Sequence, residues 1–191
     1  MDKKLVFKDV LSNGVSTGLK NFLSLIGCVV LWLLTVWIPY INVGTTIAII
    51  TLPAALSKGA VISPLEIFNK RYFRYMGEFF LVEGLAGIII FSAMLFMFFP
   101  AIVMSIAYSF GALLVVDKGK GASEALRLSN KATYGNKWTI FWVQLVLILP
   151  MFILAWIWRP LAIIYAILYV PFTLGATAFI YKELTGDISE E

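Results

Sequence analysis

Few side chains in this sequence are equipped for chemistry. It has no histidine and a single cysteine, Cys28, which sits inside an apolar run. Zinc, haem and iron–sulfur centres need clusters of imidazole or thiolate ligands, so no metal centre and no cofactor is expected. One cysteine cannot close an internal disulfide, and without an imidazole to take its proton it is a poor nucleophile. Cys28 therefore reads as a small buried hydrophobe. There is no Gly-rich phosphate loop and no nucleic-acid motif. No pair of carboxylates is placed for acid–base work, so the chain is not expected to be an enzyme.

What remains are isolated polar groups. Glu83 lies in an apolar run about six residues past Gly77, roughly 9 Å deep at the helical rise. An ionisable group at that depth faces protein or water. A proton or cation site is one reading; a carboxylate snorkelling to the near interface or pairing with a Lys or Tyr is the other. A single acid with no intramembrane base makes a poor relay, which favours the second. Gln144, one to two turns inside another apolar run, suits a hydrogen bond between packed helices. Ser105, Ala107, Ser109 and Gly111 form a small-residue face suited to close packing. Outside the apolar runs, Lys70, Arg71, Arg74, Arg127 and Lys131 are placed to meet anionic lipid or a protein partner. Asp117, Glu124, Ser129 and Asn136 read as caps, or as fasteners of a polar helix to its neighbouring span, and with Gly135 they make up a loop–helix packing motif.

The elements that must position these residues follow from composition. Of 191 residues 61% are hydrophobic and only 14% charged, with mean hydropathy +0.92; soluble domains are about a quarter charged. A single integral membrane domain over 1–191 is expected, all-α and polytopic. The net charge of +4 is attributed to membrane topology rather than to nucleic acid. Crossing a bilayer core of about 30 Å takes roughly 17–25 apolar helical residues. Six stretches qualify: 22–38, 41–57, 78–99, 101–116, 138–158 and 161–181. Pro39, Pro100 and Pro160 mark the tight turns that join them in pairs.

Charge then sets the orientation. Fourteen of the fifteen Lys and Arg residues fall on one side of this layout, and Arg159 alone on the other. By the positive-inside rule both termini and the long loops are cytoplasmic, in a cell inner membrane. Trp32, Trp37, Trp156 and Trp158 are placed near the outer interface, and Trp138 and Trp142 near the inner one. The first twenty-one residues mix Lys3, Lys4, Lys8 and Lys20 with apolar ones, unlike the unbroken core of a signal peptide.

The hairpin prolines are spaced 61 and 60 residues apart, which suggests a pseudo-threefold repeat. Aligning Asp9, Glu66 and Glu124 also aligns Lys20, Gly77 and Gly135. Three stripes then emerge at i, i+4, i+8: Leu11, Val15, Leu19; Phe68, Tyr72, Met76; and Leu126, Asn130, Tyr134. Each hairpin is thus expected to follow a cytoplasmic amphipathic helix, in units 5–58, 63–118 and 121–182, with a C-terminal tail at 183–191. Ser63-Pro64-Leu65-Glu66 reads as a capping box with proline at the first helical position.

The segment 117–138, DKGKGASEALRLSNKATYGNKW, resembles the cytoplasmic loop of the bacterial glycerophosphoryl-diester-phosphodiesterase membrane-domain superfamily and related membrane families of unknown function. The matching residues are Asp117, Glu124, Ala125, Leu126, Ser129, Gly135 and Asn136. Pro171-Phe172 and Tyr181-Lys182-Glu183-Leu184 fit the same pattern. The resemblance implies a polytopic helical domain whose motif packs helices. The phosphodiesterase activity in that family name belongs to a separate soluble domain and is not carried over.

Three functions are consistent with these residues. A non-enzymatic accessory, scaffold or regulatory subunit would act through the basic cytoplasmic face, on anionic inner-leaflet lipids or on a cytoplasmic or membrane protein partner. A small transporter or channel for lipid or a hydrophobic solute would use Glu83, with Pro53 and Pro171 as kinks. A lipid-modifying enzyme is the weakest. The first is preferred because intramembrane polarity is sparse and most charge lies on one side.

Overall fold

The computed structural model describes residues 3–59 and 61–188; the last three residues of the expected tail lie outside them. The described residues contain helices and no strand. They are α1 Phe7–Lys20, α2 Phe22–Thr35, α3 Ile41–Ser57, a 3₁₀ turn Pro64–Phe68, α4 Arg71–Arg74, α5 Met76–Phe96, α6 Phe98–Tyr108, α7 Gly111–Lys118, α8 Ala122–Thr133, α9 Lys137–Ile157 and α10 Arg159–Thr185.

Four helical stretches are long and apolar enough to cross a membrane: Met76–Phe96, Phe98–Lys118, Lys137–Ile157 and Arg159–Thr185. A fifth is added if α1 and α2, bent by 70° to each other, count as one, and α3 is a shorter apolar helix. On α5 the buried residues are Phe79, Val82 and Ala86, and on α9 Ile140, Val143 and Leu147. Their other faces leave Phe91, Leu95, Phe152 and Trp156 mostly exposed. So large an apolar surface is unstable in water and natural in hydrocarbon.

Two hairpins turn on a single extended residue. Met97 separates α5 from α6 and Trp158 separates α9 from α10, both in β conformation. Pro100 and Pro160 then occupy the first turn of the outgoing helix, where the missing N–H costs nothing and the fixed φ favours helix. The first hairpin turns differently. Tyr40 adopts a positive φ of 70°, and the Ile41 N–H donates to the Pro39 carbonyl at 2.9 Å, a strained three-residue turn. The Tyr40 ring stacks on Phe73 at 4.8 Å, and Phe73 fills the space left open by Gly44.

The core lies where α3 is enclosed. Ile47, Ala48, Thr51, Leu52, Pro53, Ala54 and Leu56 are all buried, against α10, α2, α7 and the 3₁₀ turn. Thr51 survives there by donating its hydroxyl to the Ile47 carbonyl at 2.7 Å. The most extensive seam joins α1 to the C-terminal half of α10. It runs through Gly14, Gly18 and Gly175, where a Cβ on Gly14 would fall 2.6 Å from Ala176 Cα. Lys3 pairs with Glu183 at 2.6 Å, so α1 begins beside the end of α10.

Several expectations are corrected. The packed side of α1 is Val10, Gly14 and Gly18, not Leu11, Val15 and Leu19; Leu19 is half exposed. Backbone proximity to α10 selects the glycines, and that turns the larger apolar residues outward. On α8 the buried side is Ala122, Ala125, Leu126, Ser129, Ala132 and Thr133, with Asn130 and Tyr134 exposed. The segment after Ser63 is not one helix. It is a 3₁₀ turn broken at Asn69 from a single turn of α4, so the three amphipathic segments differ locally.

Nor does α8 lie flat beneath its hairpin. It folds back along α7 and α6, with Leu126 beside Gly111 and Ser129 bonded to Ala107 and Phe110. Its 12 residues rise about 18 Å, so α9 starts well up the side of α6. Phe99 accordingly packs on Trp138 with ring centroids 5.8 Å apart. Residues in contact cannot sit at opposite faces of a bilayer. The placement of the Pro100 turn outside and Trp138 inside is therefore overturned, as is that of the Pro39 turn opposite the 61–75 connection by the Tyr40–Phe73 stack, and with them a side-by-side alignment of the three hairpins.

Candidate functional site

A polar concavity lies where the end of α3, the connection 61–75 and the end of α7 meet. The connection is pinned from both sides. The Ile62 N–H donates to Asn21 Oδ1 at 3.1 Å, and Asn21, itself buried, donates through Nδ2 to the Thr17 carbonyl at 3.3 Å. Pro64 packs over Gly27, and the Cys28 thiol points at the Pro64 carbonyl at 3.7 Å. Ser63 Oγ accepts from the Leu65 N–H at 3.3 Å, starting the 3₁₀ turn. The anticipated reach of Glu66 back to the cap is replaced by other partners, because α4 brings a cation and a phenol to its carboxylate.

Those partners form a triangle. Arg71 Nη2 lies 2.7 Å from Glu66 Oε1 and donates to the Tyr72 hydroxyl at 3.0 Å. Tyr72 in turn donates to Glu66 Oε1 at 3.2 Å. Tyr72 is almost fully buried. Burial above all, together with the Glu66 charge, raises its pKa above the usual phenol value, against the opposing pull of Arg71. Partial burial works against the Arg71 cation. The Tyr72 hydroxyl and the charges of Glu66 and Asp117 outweigh it and raise its pKa.

A second anchor joins three helices. Asp117, at the end of α7 and with its side chain only 6% exposed, meets Lys58 Nζ at 2.6 Å. The Tyr181 hydroxyl of α10 donates to its other oxygen at 2.9 Å. Phe110 packs edge-on against the Tyr181 ring at 5.7 Å. Between the two anchors opens a cleft of about 800 Å³, lined by Lys58, Lys70, Arg71 and Arg74, by Glu66 and Asp117, and by small apolar residues of α3 and α7. The lining carries four cations against two carboxylates. Such a surface attracts anions.

The sequence-derived candidates distribute unevenly around this cleft. Lys70, Arg71, Arg74 and Asp117 line it. Arg127 and Lys131 lie elsewhere, on the exposed side of α8. Glu124 meets Lys120 at 3.9 Å. Ser129, fully buried, accepts from the Phe110 N–H at 3.1 Å and donates to the Ala107 carbonyl at 2.7 Å. It thereby satisfies backbone groups freed by the break between α6 and α7. Gly135 takes a left-handed φ of 79° that turns the chain into α9. Asn136 accepts from the Leu5 N–H and donates to the Lys3 carbonyl, each at 2.8 Å, tying α9 to the start of the chain.

Glu83 and Gln144 are not brought together or to any partner. Both face outward, and neither has an ion pair or hydrogen bond among the described residues. The expected interhelical bond of Gln144 fails because Val143 and Leu147 are the residues that turn α9 inward. Glu83 is likewise rotated away from Val82, the packed position of α5. Sequence reasoning passed over Lys58, Glu66, Tyr72 and Tyr181 as site residues. Its one usable signal was the spacing of Glu66 from Arg71 and Tyr72; the other partners are distant in the chain.

No family model, curated protein or solved structure matches the chain.

Proposed function

We propose that this chain is a non-enzymatic multi-pass membrane protein, an accessory, scaffold or regulatory subunit that acts through the basic cleft. The observation that carries the reading is the excess of cations in a cavity built from α3, α4 and α7 and anchored at Glu66 and Asp117. Both termini and this cleft are assigned to the cytoplasm because Lys3, Lys4, Lys8 and Lys20, and Lys70, Arg71 and Arg74, gather on the polar segments beside the apolar runs. The Lys3–Glu183 pair supports a shared side for the two chain ends. Membrane crossing is supported by length for Met76–Phe96, Phe98–Lys118, Lys137–Ile157 and Arg159–Thr185. The matched residues of 117–138 support a packing role for that segment.

The test is native mass spectrometry of the protein extracted from its own membrane in mild detergent. A co-purifying protein in fixed stoichiometry, lost in the Lys70→Gln, Arg74→Gln double variant, is the expected result. A flux abolished by Glu83→Gln with the double variant silent would replace this reading with transport.

A further inference from the structure

We propose that the cleft is a specific site for a phosphate-ester anion, gripped by Lys70 and Arg74 with Arg71 as a preset third cation. The inference rests on the accessory reading and names the ligand chemistry of its cleft. Both carboxylates in the cleft are already engaged, Glu66 by Arg71 and Tyr72, and Asp117 by Lys58 and Tyr181. Lys70 and Arg74 are exposed, and neither side chain has an ion pair or hydrogen bond among the described residues. They stand four residues apart across the single turn of α4, facing the same cavity.

Like charges at that helical spacing repel, and an anion placed between them relieves the repulsion. The two positive charges left over in the cleft match a phosphomonoester, which carries about −1.5 to −2 at neutral pH. The guanidinium fork of Arg74 pairs with two phosphate oxygens, and the compact ammonium of Lys70 adds a point charge. Arg71 is held in place by Glu66 and Tyr72, so its side chain is ordered before a ligand arrives. A cavity of about 800 Å³ exceeds a bare phosphate and has room for a glyceryl group. Its apolar wall, with Ala54, Ala55, Ile62 and Val116, suits the carbon part of the ester.

The experiment measures binding of three probes to the full chain in dodecylmaltoside micelles by isothermal titration calorimetry: inorganic phosphate, glycerol 3-phosphate and dioctanoyl phosphatidic acid. Saturable one-to-one binding of at least one phosphate ester is expected. Lys70→Gln with Arg74→Gln should raise its Kd by about tenfold or more, and Arg127→Gln with Lys131→Gln by no more than about twofold. The charge-keeping pair Lys70→Arg, Arg74→Lys should retain binding, which separates loss of charge from loss of fold. Phosphatidic acid binding without glycerol 3-phosphate binding identifies a lipid headgroup as the source; comparable binding of both identifies a soluble ester. No saturable binding of any probe, or equal losses from the α4 and α8 double variants, overturns the proposal. If the α4 double variant sheds a protein partner while the wild type binds no phosphate, the accessory reading stands and this one fails.

Discussion

Gly18 of α1 lies directly against the backbone of Pro171 in α10, with no room between them for a methyl group. Gly14 makes the same approach to Ala176, and Gly175 meets α1 from the other side. Large side chains cannot enter a seam this narrow, and its strength comes from many close backbone contacts, as in small-residue packing between membrane helices.

Gly18→Ala is therefore expected to destabilise the protein by about 1–3 kcal/mol through overpacking. Gly84 and Gly87 on α5 are open, with nothing near a Cβ position. Gly84→Ala should be neutral or stabilising by about 0.5–1 kcal/mol, since it only removes backbone freedom from a helix. Thermal denaturation of the two variants in one detergent checks both signs. Equal effects would sink the seam.

Ser129 bonds to backbone groups on either side of the break between α6 and α7. Ser129→Ala leaves the Phe110 N–H and the Ala107 carbonyl without their partner in a buried place. The expected loss is about 1–3 kcal/mol. Hydrogen exchange should show the Phe110 amide losing protection ahead of the rest of α7. An unchanged Phe110 exchange rate would mean the break is satisfied otherwise.

Tyr72 gives the cleft an alkaline limit. Its pKa in the folded protein is raised, so below about pH 10 folded and unfolded chains both hold the proton and stability is unaffected. Above that, the unfolded chain releases the proton while the folded chain keeps it, and stability falls as pH climbs through the raised value. Spectrophotometric titration near 295 nm should lose a late-titrating component in Tyr72→Phe, leaving the other seven tyrosines. If the missing component titrates with the bulk, the phenol is not shielded.

The contact of Phe99 with Trp138 predicts depth. Nitroxide labels placed singly at positions 99 and 138 in reconstituted bilayers should report similar immersion by power-saturation spectroscopy. A separation near the roughly 30 Å hydrocarbon thickness would restore the side-by-side hairpins.

Much of this architecture was legible in one dimension. Apolar runs long enough for a bilayer mark α5, α9 and α10, since hydropathy is a local sum needing no partner. Pro100 and Pro160 mark helix starts because a missing N–H acts within one turn. Lys70, Arg71 and Arg74 announce a basic patch by falling within five residues of one short segment between apolar runs. The facing of Gln144 and Glu83 was not legible, because an apolar helix exposed to lipid has little amphipathic pattern to orient it.

The sequence by itself determined a helical, lipid-compatible chain with its cations gathered outside the apolar runs, because composition and hydropathy depend only on neighbours along the chain. Only the tertiary structure decided that α8 climbs the side of α6, that glycines rather than leucines form the seam of α1, and that Asp117 meets Lys58 and Tyr181. Those outcomes depend on which surfaces fit at backbone distance and which buried polar groups find partners, and Lys58, Asp117 and Tyr181 are brought together from three separate helices.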